Sequence, residues 1–218
     1  MIHGDTVPWR TLSQWRAKAF LTAGVLFLAS PAAKGLILVT GGPLPELVVA
    51  LFVFTGLLAA LGGLLGFYPE LTDQVPYHAL AGVVTTVLAA GVTVGVFGWL
   101  MVTRVLGATS YPASPGSPPE LAFVSLVVAM AVGFAVVGTA CLRVSVPSRF
   151  VGALLLALAV PWVVIFGAGA VYGSNFPAWL SLSTYGAIPV GLLATGYVLR
   201  KHVSVVERGT SAPDVTAD

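Results

Sequence analysis

Glu70, Asp73 and His78 fall within nine residues of one another in the stretch GLLGFYPELTDQVPYHALAG, Gly63 to Gly82. Two carboxylates and one imidazole are acceptable ligand types for several divalent metals, and an acid near a histidine can relay a proton. Metal binding would need at least three oxygen or nitrogen atoms converging within about 2.0 to 2.6 Å of one point. The spacing here matches no diagnostic metal motif. Asp73 and Pro76 carry turn and helix-start signals, His78 falls in the first turn of the segment that follows, and Tyr68 and Tyr77 bracket the group as interfacial aromatics. We therefore expect a hydrated turn between two apolar segments, with no metal.

Lys34 is the one lysine or arginine deep inside an apolar segment, Lys18 standing at the very start of the same one. It lies about 8 Å from the end of that segment, so its stem reaches the interface, and Pro31 bends the helix just before it. The competing use of Lys34 is an anion site facing the interior. Pro161 and Pro189 interrupt the centres of two other apolar segments, where the carbonyls they free either line a cavity or are satisfied by neighbours. Lys34, Glu70, Asp73, His78, Pro161 and Pro189 are thus the candidates for a polar site. Thr85, Thr86, Thr93, Ser181, Ser183, Thr184 and Tyr185 could hold a neutral solute, but hydroxyls in such segments more often bond within the bundle.

Several chemistries lack their residues. His3, His78 and His202 map to one side and offer no pair at membrane depth for haem. No in-membrane acid accompanies Lys34 as the counter-ion of a Schiff base. There is no Ser–His pair, diacid or HExxH helix for proteolysis inside the membrane. No catalytic residue, cofactor or metal ligand is assigned. Cys141 has no second thiol to pair with and reads as a small buried apolar residue.

The elements that position these residues follow from composition. Hydrophobic residues make up 57% of the 218-residue chain and charged ones 8%, with a mean hydropathy of +0.97, far from the roughly one quarter charged that is usual in soluble domains. Crossing about 30 Å of hydrocarbon takes about 20 apolar residues in a helix. Six segments qualify: Ala17 to Val39, Leu47 to Phe67, Ala79 to Val102, Leu121 to Leu142, Phe150 to Tyr172 and Ala178 to Leu199. A β-barrel would need alternating polar and apolar positions, whereas LVVALFVFTGLLAALGGLLGF is apolar on every side. The fold class is therefore an all-α integral membrane bundle of six transmembrane helices, residues 17–199. A cytoplasmic N-terminal segment, 1–16, precedes it and a disordered cytoplasmic tail, 200–218, follows it.

Eight of the ten basic residues, Arg10, Arg16, Lys18, Arg143, Arg149, Arg200, Lys201 and Arg208, fall on one side of this map. Basic residues near span ends are retained in the cytoplasm, so both termini are expected there, in the cell membrane. The proline-rich TRVLGATSYPASPGSPPE forms an outer strap. Gly62 with Gly66, and Gly91 with Gly95, are small-xxx-small pairs expected to let the second and third spans approach closely. Gly186, Gly191 and Gly196 keep the sixth span slim.

The segment GLLGFYPELTDQVP, Gly63 to Pro76, resembles the Gly-Leu-Leu-Gly-Leu-Tyr-Pro loop, with a following Asp and Pro, of uncharacterised multi-pass membrane proteins of halophilic archaea. The Ala/Val/Thr/Gly-rich helices and the short Asp-containing tail are similar too. The resemblance implies the multi-pass topology and carries no activity. The function expected is that of a non-enzymatic membrane component acting through lipid, through a membrane-protein partner or through a second copy of itself, with no role for nucleic acid. A small permease for a neutral or anionic solute is the alternative, and an intramembrane enzyme ranks third.

Overall fold

The computed structural model describes residues 7–40, 44–105, 118–145, 147–172 and 177–210. They form α1 (Val7–Thr40), α2 (Leu44–Leu65), α3 (Tyr68–Thr72), α4 (Pro76–Val105), α5 (Pro118–Val144), α6 (Arg149–Tyr172) and α7 (Ala178–Thr210), with no strand among the described residues. The helices begin and end on local signals. Pro76 and Pro118 open α4 and α5, where a missing N–H leaves no bond unmade. Ser148 Oγ accepts the Val151 N–H at 3.3 Å as the cap of α6. Ser145 ends α5 at φ 58, the left-handed conformation that terminates many helices.

Among the described residues four stretches are long and apolar enough to cross a membrane: Val48–Thr72, Pro76–Thr103, Glu120–Val144 and Arg149–Gly169. The helices overrun the predicted spans. α1 begins at Val7 and not at Ala17, and α7 continues to Thr210 past Leu199. A helix satisfies its own backbone on either side of the hydrocarbon boundary, so span length does not set helix length. Of the segment expected to be a tail, 200–210 continues α7 and 211–218 lies outside the described residues, as does most of the proline-rich strap, 106–117.

The long helices pack in a closed ring, α1 against α2, α2 against α4, α4 against α5, α5 against α6, α6 against α7, and α7 back against α1. The interior is filled by side chains. Phe20, Leu61, Leu64, Phe67, Met130, Phe134, Leu155, Ile188 and Leu192 are all fully buried. The outside is apolar as well: Val25, Leu28, Leu80, Val84, Leu88, Val128, Val132, Val160 and Val163 are exposed. Helices that are apolar both inward and outward fit hydrocarbon as the solvent. Exposed aromatics mark the two ends of α4, Tyr77 and Trp99, separated by about 33 Å at about 1.5 Å per residue, close to the bilayer core.

Glycine packing departs from the small-xxx-small expectation. A Cβ at Gly62, Gly91, Gly95 or Gly186 would meet nothing within 4 Å, because these positions do not face a neighbouring helix. On α7, Gly191 and Gly196 do make the close approaches expected of them, a Cβ at Gly191 standing 2.6 Å from Leu158 Cδ2, and other close approaches lie at glycines not singled out in the sequence. A Cβ at Gly138 would stand 2.9 Å from the Leu156 nitrogen, and one at Gly152 2.8 Å from the Leu142 nitrogen, so α5 and α6 meet backbone to backbone. Gly196 plays the same part between α7 and α1, 2.9 Å from the Ala17 carbonyl oxygen.

Candidate functional site

Polar side chains concentrate at the end of the ring where α1, α5 and α7 carry their arginines. The turn from Gly66 to Val75 shapes this end. Leu71 N–H donates to the Phe67 carbonyl at 3.1 Å, Val75 N–H to the Leu71 carbonyl at 2.8 Å and Ala79 N–H to the Val75 carbonyl at 3.0 Å, so consecutive turns link α2 through α3 to α4. Phe67 and Leu71 both point into the core. Glu70, three residues after Phe67, shares that inward face.

On α1 the buried stripe is Arg16, Phe20 and Ala23, at i, i+4 and i+7. Arg16 therefore faces the interior. Its Nη1 lies 2.7 Å from Glu70 Oε2, with 9% of the Arg16 side chain and 32% of the Glu70 side chain exposed. Neither of these two atoms completes a well-aligned hydrogen bond, so the contact is held by charge and proximity. The guanidinium stands 5.0 Å from the Phe67 ring centroid, and Phe20 packs on the same ring with centroids 6.2 Å apart. Phe67 is thus held between a cation and an aromatic, and both contacts tie α1 to the α2–α3 turn. Cys141, fully buried near the end of α5, is close enough for the charges of Arg16 and Glu70 both to bear on it.

His78 goes elsewhere. Its Nε2 lies 2.9 Å from Arg143 Nη1. A guanidinium has only donors, so Nε2 is the acceptor and the ring proton sits on Nδ1. This bond joins the start of α4 to the end of α5. Next to it, Arg149 donates from Nε to Ser145 Oγ at 2.9 Å, bracing the α5–α6 turn. Asp73 is the exposed residue that caps α3.

The three residues that opened the sequence reading are therefore divided among three environments. Glu70 is paired inward, His78 is paired with α5 and Asp73 faces outward. Among the described residues no group of three or more His, Cys, Asp or Glu converges on a point. Pro161 and Pro189 are buried in α6 and α7. Beside Pro161, Trp162 Nε1 is buried without a hydrogen-bond partner. The Lys34 side chain lies outside those described, as do Ser181, Thr184 and Tyr185. The buried threonine hydroxyls bond to their own helices: Thr86 to the Gly82 carbonyl at 2.6 Å, Thr93 to Ala89 at 2.7 Å and Thr195 to Gly191 at 2.8 Å.

Sequence reasoning missed Arg16, which it counted only as a basic residue flanking the first span. The signal was present in its spacing from Phe20 and Ala23, which places a cation on an apolar stripe. Comparison with protein-family models, with curated proteins and with solved structures gives no match.

Proposed function

We propose that this chain is a six-span component of the cell membrane with both termini cytoplasmic, without catalytic turnover of its own, acting through lipid or a neighbouring membrane protein. The six-span count is supported by the ring, in which α1 and α7 close the circuit between α2 and α6. The orientation is supported by Arg16, Arg143 and Arg149 gathering with Glu70 and His78 at one end.

The observation that carries the reading is how the interior is used. Aromatic and aliphatic side chains fill it, and three of the four buried hydroxyls among the described residues, Thr86, Thr93 and Thr195, are turned onto their own backbone carbonyls, Ser30 being the fourth. Among the described residues such an interior holds helices together and turns most of its polar groups onto the protein itself. A permease reading is favoured by one observation, the Trp162 indole N–H, buried on the proline-interrupted α6 without a hydrogen-bond partner among the described residues. Stopped-flow light scattering of vesicles containing the purified chain separates the two. The proposal expects swelling rates for small neutral and anionic solutes equal to those of empty vesicles. Faster swelling that is lost in Trp162→Phe would replace it with the permease.

A further inference from the structure

Arg143 and Arg149 are exposed at the same end of the ring, on either side of the α5–α6 turn. Both are held in place by their neighbours. Arg143 donates to His78 Nε2 and Arg149 to Ser145 Oγ, each at 2.9 Å. A guanidinium has five N–H donors in a planar fork, so each keeps donors turned to the surroundings after those bonds. Neither pairs with a carboxylate among the described residues; the exposed acid of this end, Asp73, caps α3. Exposed aromatic residues neighbour these groups along the chain. Tyr77 is 85% exposed beside His78, and Phe150 is 61% exposed beside Arg149. Below Arg143 on the same face of α5 come Val136 and Val132, seven and eleven residues back, the latter exposed.

We propose that the ends of α4, α5 and α6 form a docking site for the headgroup phosphate of an anionic membrane lipid, gripped by Arg143 and Arg149. His78 and Ser145 position the two guanidiniums. Tyr77 and Phe150 sit at headgroup level, and an acyl chain runs along Val136 and Val132. Charge complementarity selects a phosphate, because a guanidinium matches its oxygens in bidentate fashion. The flanking aromatics and the apolar strip beneath select a lipid over a soluble phosphate, which would gain nothing from either. The inference rests on the membrane reading above and adds to it a lipid class and a place.

Native mass spectrometry of the detergent-solubilised full chain, titrated with phosphatidylglycerol and separately with phosphatidylcholine, tests it. The wild type should retain phosphatidylglycerol about fivefold or more over phosphatidylcholine. Arg143→Gln/Arg149→Gln should bring the ratio to about one, while Arg143→Lys/Arg149→Lys, which keeps the charge and loses the fork, should fall between. Arg200→Gln/Lys201→Gln, removing two exposed cations of α7 at the same end, should keep the wild-type ratio. A wild-type ratio near one overturns the proposal and leaves the patch to an acidic protein segment. Equal losses in the α7 variant would make the attraction unspecific and overturn it too. Displacement of the lipid by excess glycerol phosphate would assign the site to a soluble anion instead. Flotation of the reconstituted chain keeps the two levels apart. A chain that floats with vesicles but shows no lipid preference overturns only this inference, whereas one that does not float overturns the membrane reading as well.

Discussion

The Arg16–Glu70 pair sets the chemistry of this end of the molecule at the level of single residues. Removing one partner of a buried ion pair leaves the other charge without compensation, at about 3 to 5 kcal/mol when both are fully buried. Glu70 is about a third exposed, so water screens part of that, and Glu70→Gln should cost on the order of 1 to 3 kcal/mol. Arg16→Met combined with Glu70→Leu should recover much of the loss, because an apolar pair fits the surroundings of Phe20, Phe67 and Leu71. Chemical unfolding of the four chains in a double-mutant cycle measures this. Additive losses would mean that the two charges are not coupled. At His78 the geometry fixes a tautomer. The bond from Arg143 requires an unprotonated Nε2, so nitrogen chemical shifts of the labelled ring should report Nδ1–H, and an Nε2–H ring would dissolve the link between α4 and α5. The sequence placed Glu70, Asp73 and His78 at one turn. It could not tell where each would point, because that depends on α3 being a single helical turn that rotates Glu70 inward with Phe67 and Leu71.

At the scale of elements, α5 and α6 meet backbone to backbone, and two glycines make the contact. Gly152→Ala would place a methyl 2.8 Å from the Leu142 nitrogen, against backbone that has no rotamer to escape by. The helices must separate, and overpacking of this kind costs about 1 to 3 kcal/mol. Gly91→Ala and Gly95→Ala meet open space on the outward face of α4. They should be neutral or raise stability by up to about 1 kcal/mol, since alanine is the better helix former. Thermal unfolding in one detergent compares the three, and a loss at Gly91 or Gly95 equal to that at Gly152 would show that α4 meets another helix there. Periodicity and length made the long helices legible, since an apolar run long enough to span leaves the backbone little alternative to a helix. Which glycines touch was legible only in part, at Gly191 and Gly196 of α7. A small-xxx-small spacing puts two glycines on one face without saying what that face meets, and rotation about each helix axis is settled only by the neighbours.

The whole molecule is a ring of long helices with an apolar interior, an apolar exterior and a cationic end. Apolar surface on both sides fits a bilayer, and the aromatic positions at the two ends of α4 are spaced to match its thickness. We propose that this ring crosses the membrane with six helices and keeps its arginine-rich end in the cytoplasm. Single cysteines report it directly. Cys141 is buried and is replaced by alanine, after which one cysteine at a time is introduced at position 5, 113 or 212 and intact cells are treated with a membrane-impermeant maleimide. The account predicts labelling at 113 in intact cells, and labelling at 5 and 212 only after the membrane is opened. Labelling of 5 and 212 from opposite sides would require an odd number of crossings and contradict it, and labelling of both from outside would invert the bundle and place its arginines on the wrong face.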